Sequence, residues 1–369
     1  MEKILASDVD WSHYQATKAS ICGLFSGRQT DRPAVMYHSC QVAPTAPSHL
    51  EGFERDAWLF VEGLKQRVIV PGDSYVPIMH TGAGTCVLAT AFGSRELLKS
   101  GLSWPEPCIS SPLDIDHLKM PEMTAGKAGW VLEQTRAYRE YLDDRIAVGI
   151  MDFQSPFTTV EQMLGSEQFF LLPYDDPKRF HALMDIVTDG AIRLIQEQIR
   201  IIGDNCSRGL WPMIYFPKEA GIQMADDNLC NVSCEVYEEF VIPYNNRISE
   251  AFGGLFLHSC IIREGNLATI AKLRNLTGVN CDISSGVSIK TLLEWYGEKM
   301  VVVPHCYIND GAQFNDYSHF MQAMLEHWSP PKRLFVFPCS VMYLPREAKE
   351  IPFNAAQVSA AMRQFNCQI

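Results

Sequence analysis

The octapeptide GGLFLHSC at residues 253–260 ends an apolar run with a histidine and a cysteine one residue apart. Side chains at i and i+2 of a strand leave the same face, so His258 and Cys260 share a direction and Ser259 faces away. Three of the last four apolar runs of the chain close on cysteine, at Cys260, Cys306 and Cys339. If the runs are barrel strands, their carboxyl ends converge on one mouth, and His258, Cys260 and Cys339 meet there. A Cys₂His set leaves one tetrahedral position of zinc open, as catalytic rather than structural sites do. Spacing alone leaves a plainer alternative open. There is no CxxC pair, and a core histidine beside an inert buried cysteine has the same pattern.

The elements that must position these residues are short runs rich in Val, Ile, Phe and Leu. They are AVMYHSC (34–40), RVIV (67–70), AVGIMDF (147–153), WPMIYF (211–216), GGLFLHSC (253–260), GVNCDI (278–283), MVVVPHC (300–306) and RLFVFPC (333–339). Continuous apolar runs suit parallel strands buried on both faces. Amphipathic stretches lie between them, at 176–203, which opens on Asp-Pro, and at 234–253. About eight strands alternating with helices predict an α/β fold, a (β/α)₈ TIM-type barrel, with a doubly wound open sheet as the other arrangement. Residues 71–146 are too long for one crossover and rich in turns, which predicts an insertion over the barrel mouth. No repeat or linker divides the chain, so residues 1–369 read as a single domain.

The 369 residues are 47% hydrophobic with a formal net charge of −12, globular in composition and lacking the basic footprint that nucleic acid needs. The first residues show no secretion signal, and no run approaches the roughly 20 apolar residues of a membrane span. The twelve cysteines are scattered, unlike a disulfide scaffold. Reduced thiols in a cytoplasmic protein are the expectation.

Residues 152–189, DFQSPFTTVEQMLGSEQFFLLPYDDPKRFHALMDIVTD, and 221–260, GIQMADDNLCNVSCEVYEEFVIPYNNRISEAFGGLFLHSC, resemble the uroporphyrinogen decarboxylase superfamily. The likeness extends to VVVPHCYIND and FVFPCSVMYLP and, more faintly, to GLFSGRQTDRPAV at 23–35. It implies a (β/α)₈ barrel with a deep mouth. True decarboxylases of this superfamily carry an arginine-rich segment after the first strand, where cations hold substrate carboxylates. The matching stretch here, VMYHSCQVAPTAP (35–47), has no arginine. The chain is more similar to the cobalamin-dependent methyltransferases of the methylcobalamin:coenzyme M type. That branch implies zinc held by His258, Cys260 and Cys339, and methyl transfer from a methylated corrinoid to a thiol or similar acceptor. Phe337 and Ser340 stand where the branch has small glycines, and IIREGN follows the pair where many members turn on glycine. No Asp-x-His-x-x-Gly corrinoid motif occurs in the chain, so a separate corrinoid protein is implied as partner. Decarboxylase relatives are dimers, which makes a homodimer the implied assembly.

Other residues carry less specific signals. Asp152 and Gln154 end a barrel strand and are expected to face the substrate, as is Asp227 in ADDN beside Asp226, where an aspartate equally suits a helix cap. Asp282 is expected at the mouth as fourth ligand, ligand support or a plain loop residue, and its neighbour Cys281 then faces away. His38-Ser39-Cys40 repeats the His-x-Cys spacing and reads as coincidence. His305 and Cys306 are adjacent and diverge. HTGAGTC (80–86) lacks the strand-to-helix context of a dinucleotide loop and reads as a flexible loop over the mouth. A uroporphyrinogen decarboxylase-like tetrapyrrole enzyme and a non-catalytic tetrapyrrole- or metal-binding barrel are the alternatives. Coenzyme M, homocysteine and a folate all remain open as acceptor.

Overall fold

The computed structural model describes residues 3–6, 9–36, 44–67, 69, 72–99, 102–284, 286–306, 314, 317–337 and 360. Eleven strands follow one another along these residues: β1 (Ala34–Val35), β2 (Ile78–His80), β3 (Arg95–Lys99), β4 (Leu102–Glu106), β5 (Ala147–Gly149), β6 (Cys206–Ser207), β7 (Ile222–Ala225), β8 (Leu255–His258), β9 (Leu276–Asp282), β10 (Val301–His305) and β11 (Arg333–Val336). β3 and β4 form an antiparallel hairpin, and the paired ladders among the other strands are all parallel. One sheet runs β1-β11-β10-β9-β8-β7 and another β2-β5-β6.

Two bridges join these sheets at both edges. Val35 pairs with Asp73 on the approach to β2, and Gln154, beyond β5, pairs with Ala225 of β7. The Gln223 N–H also donates to the Arg208 carbonyl just past β6. The circuit runs around the whole ring, in keeping with a TIM-type barrel.

Period-2 alternation sorts the side chains into an inner and an outer layer. Ile78, Ala147, Phe256, Val301, Val303 and Phe335 fill the interior, while Met79, Val148, Leu257 and Val302 pack outward against the helices. Gly278 lets the Phe256 ring lie across β9, since a Cβ there would stand 2.5 Å from that ring. The helix Trp11–Phe25, capped by Asp10, plugs the amino-terminal end of the ring with Ile21, Leu24 and Phe25. Each apolar side chain removed from water this way contributes on the order of 1.5–3 kcal/mol.

Two expectations need correction. WPMIYF (211–216) is not a strand. Pro212 has no N–H for a ladder, and Trp211, Ile214, Tyr215 and Phe216 instead fold into the barrel interior as a plug. β6 and β7 flank this segment. Among the described residues of RVIV, Arg67 and Ile69 lie in a loop, and the strand in that part of the ring is β2, inside the stretch read as insertion. The hairpin β3–β4 and the helix Gly126–Tyr141 make up much of what remains there. The stretch 234–253 forms two helices, Cys234–Phe240 and Ile242–Phe252, with Pro243 in the first turn of the second. The long helix Pro177–Ile202 follows expectation, its first turn capped by Asp176 accepting from the Arg179 N–H. No helix among the described residues is long and apolar enough to cross a membrane.

Candidate metal centre

β7, β8, β9 and β10 are neighbours in the ring, and their carboxyl ends supply the polar cluster. His258 is the last residue of β8, and Cys260 follows on the same face, its Sγ 3.7 Å from His258 Nε2. Asp227, two residues beyond β7, brings Oδ1 to 3.6 Å from the same nitrogen and accepts a hydrogen bond from the Cys260 N–H at 2.8 Å. Ligand atoms of Asp227, His258 and Cys260 all lie within 4.8 Å of one another. Two donors bound to one tetrahedral zinc stand roughly 3.3–3.8 Å apart, given bonds of about 2.0–2.3 Å. The distances from the nitrogen to the sulfur and to the oxygen fall in that range, and all three donor types are ones that zinc accepts.

A neighbouring amide settles which imidazole nitrogen faces the cluster. Asn280 is register-paired with His258 across β8 and β9. Its Nδ2 donates to the Val303 carbonyl, which can only accept, and to His305 Nδ1 at 3.2 Å. Asn280 Oδ1, 2.6 Å from His258 Nδ1, must then be the acceptor. His258 carries its proton on Nδ1 and presents a lone pair on Nε2, the arrangement that ligating histidines require. Burial lowers the His258 pKa, with Asp227 and the Asn280 hydrogen bond opposing, so the ring is neutral at pH 7. Burial also pushes the Cys260 thiol up, and the Asp227 carboxylate adds to this. A bound cation reverses that balance and favours the thiolate.

Asp226 holds the β7 end in place. Its N–H donates to the His258 carbonyl at 2.8 Å, and its carboxylate accepts from Tyr237 Oη at 2.8 Å and Asn245 Nδ2 at 3.1 Å. Burial raises its pKa to about 6. Beneath the cluster lies Trp211, edge-on to the rings of His258 at 6.1 Å and His305 at 5.8 Å.

The structure brings four of the sequence-selected residues to this mouth besides the His-x-Cys pair. Asp227 stands within the cluster. Asp282 ends β9 beside it, its N–H donating to the Cys260 carbonyl and its Oδ1 accepting from Ser284. Asp152 and Gln154 sit past β5, joined by a 2.9 Å hydrogen bond. Burial, opposed by that bond and reinforced by the Asp227 charge, raises Asp152 to about 6. Cys281 packs in the outer layer. Cys339, His38 and Cys40 lie outside the described residues. Asn280, Trp211 and His80, a half-buried histidine ending β2 with its pKa lowered to about 4 by desolvation, were not singled out by sequence. Asn280 had one available signal, its position two residues before Asp282 on the same strand face.

Comparison with known proteins agrees with this architecture. Residues 85–204 match the family model described as Uroporphyrinogen decarboxylase (URO-D). Two curated uroporphyrinogen decarboxylases, from Anaeromyxobacter dehalogenans (strain 2CP-C) and Anaeromyxobacter sp. (strain Fw109-5), are each 30% identical over 183 residues. The match covers 46% of this chain and 46% of each relative, so it spans about half the length of either. Among solved structures, a methyltransferase from Methanosarcina mazei is similar over 95% of this chain and 99% of its own, with a TM-score of 0.65 at 15% identity. That likeness is one of fold. Residues 85–204 thus match the uroporphyrinogen decarboxylase family model, within a fold that the chain shares along nearly its whole length with the Methanosarcina methyltransferase.

Proposed function

We propose that this protein is a zinc-dependent methyltransferase that moves a methyl group from a methylated corrinoid, carried on a separate corrinoid protein, to a thiol or similar small acceptor. The observation that carries this reading is the meeting of His258 Nε2, Cys260 Sγ and Asp227 Oδ1 within 4.8 Å at the barrel mouth. The resemblance adds Cys339 as a further thiolate donor. Zinc bound by these groups supplies a Lewis acid that keeps an acceptor thiol deprotonated and nucleophilic at neutral pH. The chain's own residues do the rest. Asn280 fixes the His258 tautomer, the Asp226 N–H ties the Asp227 loop to β8, and the ring of strand ends holds acceptor and donor in line away from water.

A decarboxylase reading, which the names of the two curated relatives suggest, requires cations to hold several substrate carboxylates. The mouth residues described above are instead acidic: Asp152, Asp227 and Asp282. Metal analysis of purified protein, with Cys260→Ala beside it, tests the proposal. About one zinc per chain is expected, with at least a tenfold loss of affinity in the variant and thiol-dependent consumption of methylcobalamin by the wild type. Wild-type protein that stays metal-free under reducing conditions, or that turns over uroporphyrinogen without metal, overturns it.

A further inference from the structure

A hollow of about 830 Å³ opens beneath the β3–β4 hairpin and over the loop 82–85, with Asp152 in its wall. Asp152 is shared with the barrel mouth, close enough for the Asp227 charge to act on it. Four charged residues line the space: Lys127 against Glu96, Asp152 and Glu161. The cation is already answered, since Lys127 Nζ binds the Glu96 carboxylate and donates to the Ala83 carbonyl at 2.8 Å. Asp152 receives only the Gln154 amide, and no cation pairs with it among the described residues. The anions among the zinc donors, Asp227 and Cys260 together with the proposed Cys339, at least balance the charge of the ion, so metal loading leaves the Asp152 charge standing.

The hairpin covers this carboxylate with Leu98 and Trp104, large apolar side chains that are otherwise left exposed, at 75% and 51%. An uncompensated carboxylate under an apolar, aromatic cover asks for a positive N–H donor on an apolar body.

We propose that this hollow binds a small organic ammonium ion, its N–H⁺ directed at Asp152 and its hydrocarbon part under Leu98 and Trp104. The inference deepens the methyltransferase reading by naming the charge class of the small molecule beside the metal, and it rests on that reading only for calling the molecule a substrate. An anionic acceptor bearing a sulfonate is disfavoured in this space by the same charges.

Calorimetric titration separates the possibilities. The probes are N,N-dimethylethanolamine, protonated at pH 7.5, its neutral carbon isostere 3-methylbutan-1-ol, and 2-mercaptoethanesulfonate. The ammonium is expected to bind at least tenfold tighter than the isostere. Asp152→Asn is expected to erase that preference, and Trp104→Ala to weaken both ligands to a similar extent. If Asp152→Asn does not fold by circular dichroism, Asp152→Ser serves instead and is expected to erase the preference as well. Equal binding of ammonium and alcohol, no binding of either, or tighter binding of the sulfonate at a site that competes with the ammonium overturns the proposal. Zinc content is measured on the same samples. An ammonium preference in protein that never holds zinc would sink the methyltransferase reading and leave this site standing, and zinc without the preference would do the reverse.

Discussion

At the scale of single residues, the site depends on groups that fix others in place. Asn280 makes three contacts that only one orientation of its amide satisfies, and His258 Nε2 is free for a metal as a result. Asn280→Leu is therefore expected to lower zinc affinity about 10–100-fold, read by competition against a chelator, with zinc restored toward wild-type affinity in Asn280→Gln only if the longer amide still reaches His258. Asp226 gives a pH-dependent prediction. The unfolded carboxyl loses its proton near 3.8, whereas burial lets the folded one hold it to about 6. Between those values the folded state binds more protons, so stability falls as pH rises through that window, by up to ~3 kcal/mol. Because Asp226→Asn removes only this group, the midpoint of wild type relative to the variant is expected to fall from pH 3.5 to 7, read by denaturant unfolding of both. Sequence made the His258–Cys260 pair legible because strand periodicity needs only neighbours. Asn280 was not legible, because its role comes from the register between β8 and β9, which local sequence does not encode. Asp227 was legible as a mouth residue, but its approach to His258 depends on how β7 sits against β8.

At the scale of elements, the runs that became long, well-paired strands, β8 to β11, were readable as uninterrupted apolar segments. The two that misled did so for physical reasons. WPMIYF is apolar because it is buried, yet it is buried as an irregular plug, a case that hydrophobicity alone does not separate from a strand. β2 was overlooked because IMH is three residues long and enclosed by Pro77 and Gly82. The plug supports the site from below, with Trp211 against His258, His305 and Phe337. Trp211→Ala is expected to cost about 3–5 kcal/mol through the cavity it leaves, measured by denaturant unfolding. It is also expected to weaken zinc binding, because the two imidazoles lose the surface they lean on. A loss of stability under 1 kcal/mol would show that Trp211 is not part of the core.

At the scale of the whole molecule, the ring is shut by its two most distant strands, with Ala34 paired to Phe335 and Val35 to Val336. The second half of the predicted barrel was readable from the strand and helix alternation and the first half only in part, but neither showed this closing seam, which pairs segments about 300 residues apart. The seam bears on how the protein is made. At ~5–20 residues per second, a ribosome delivers β11 roughly 15–60 s after β1. For that interval β1 has no partner on the side β11 will occupy, and the apolar strands that follow it lack a closed interior. Such an open edge invites pairing with other chains. Nascent chains stalled before residue 333 are thus expected to be protease-sensitive and chaperone-bound, and chains released after residue 337 to become resistant together, as one unit. Resistance that arises in stalled chains ending near residue 260 would mean instead that the first half of the ring holds its shape without the seam.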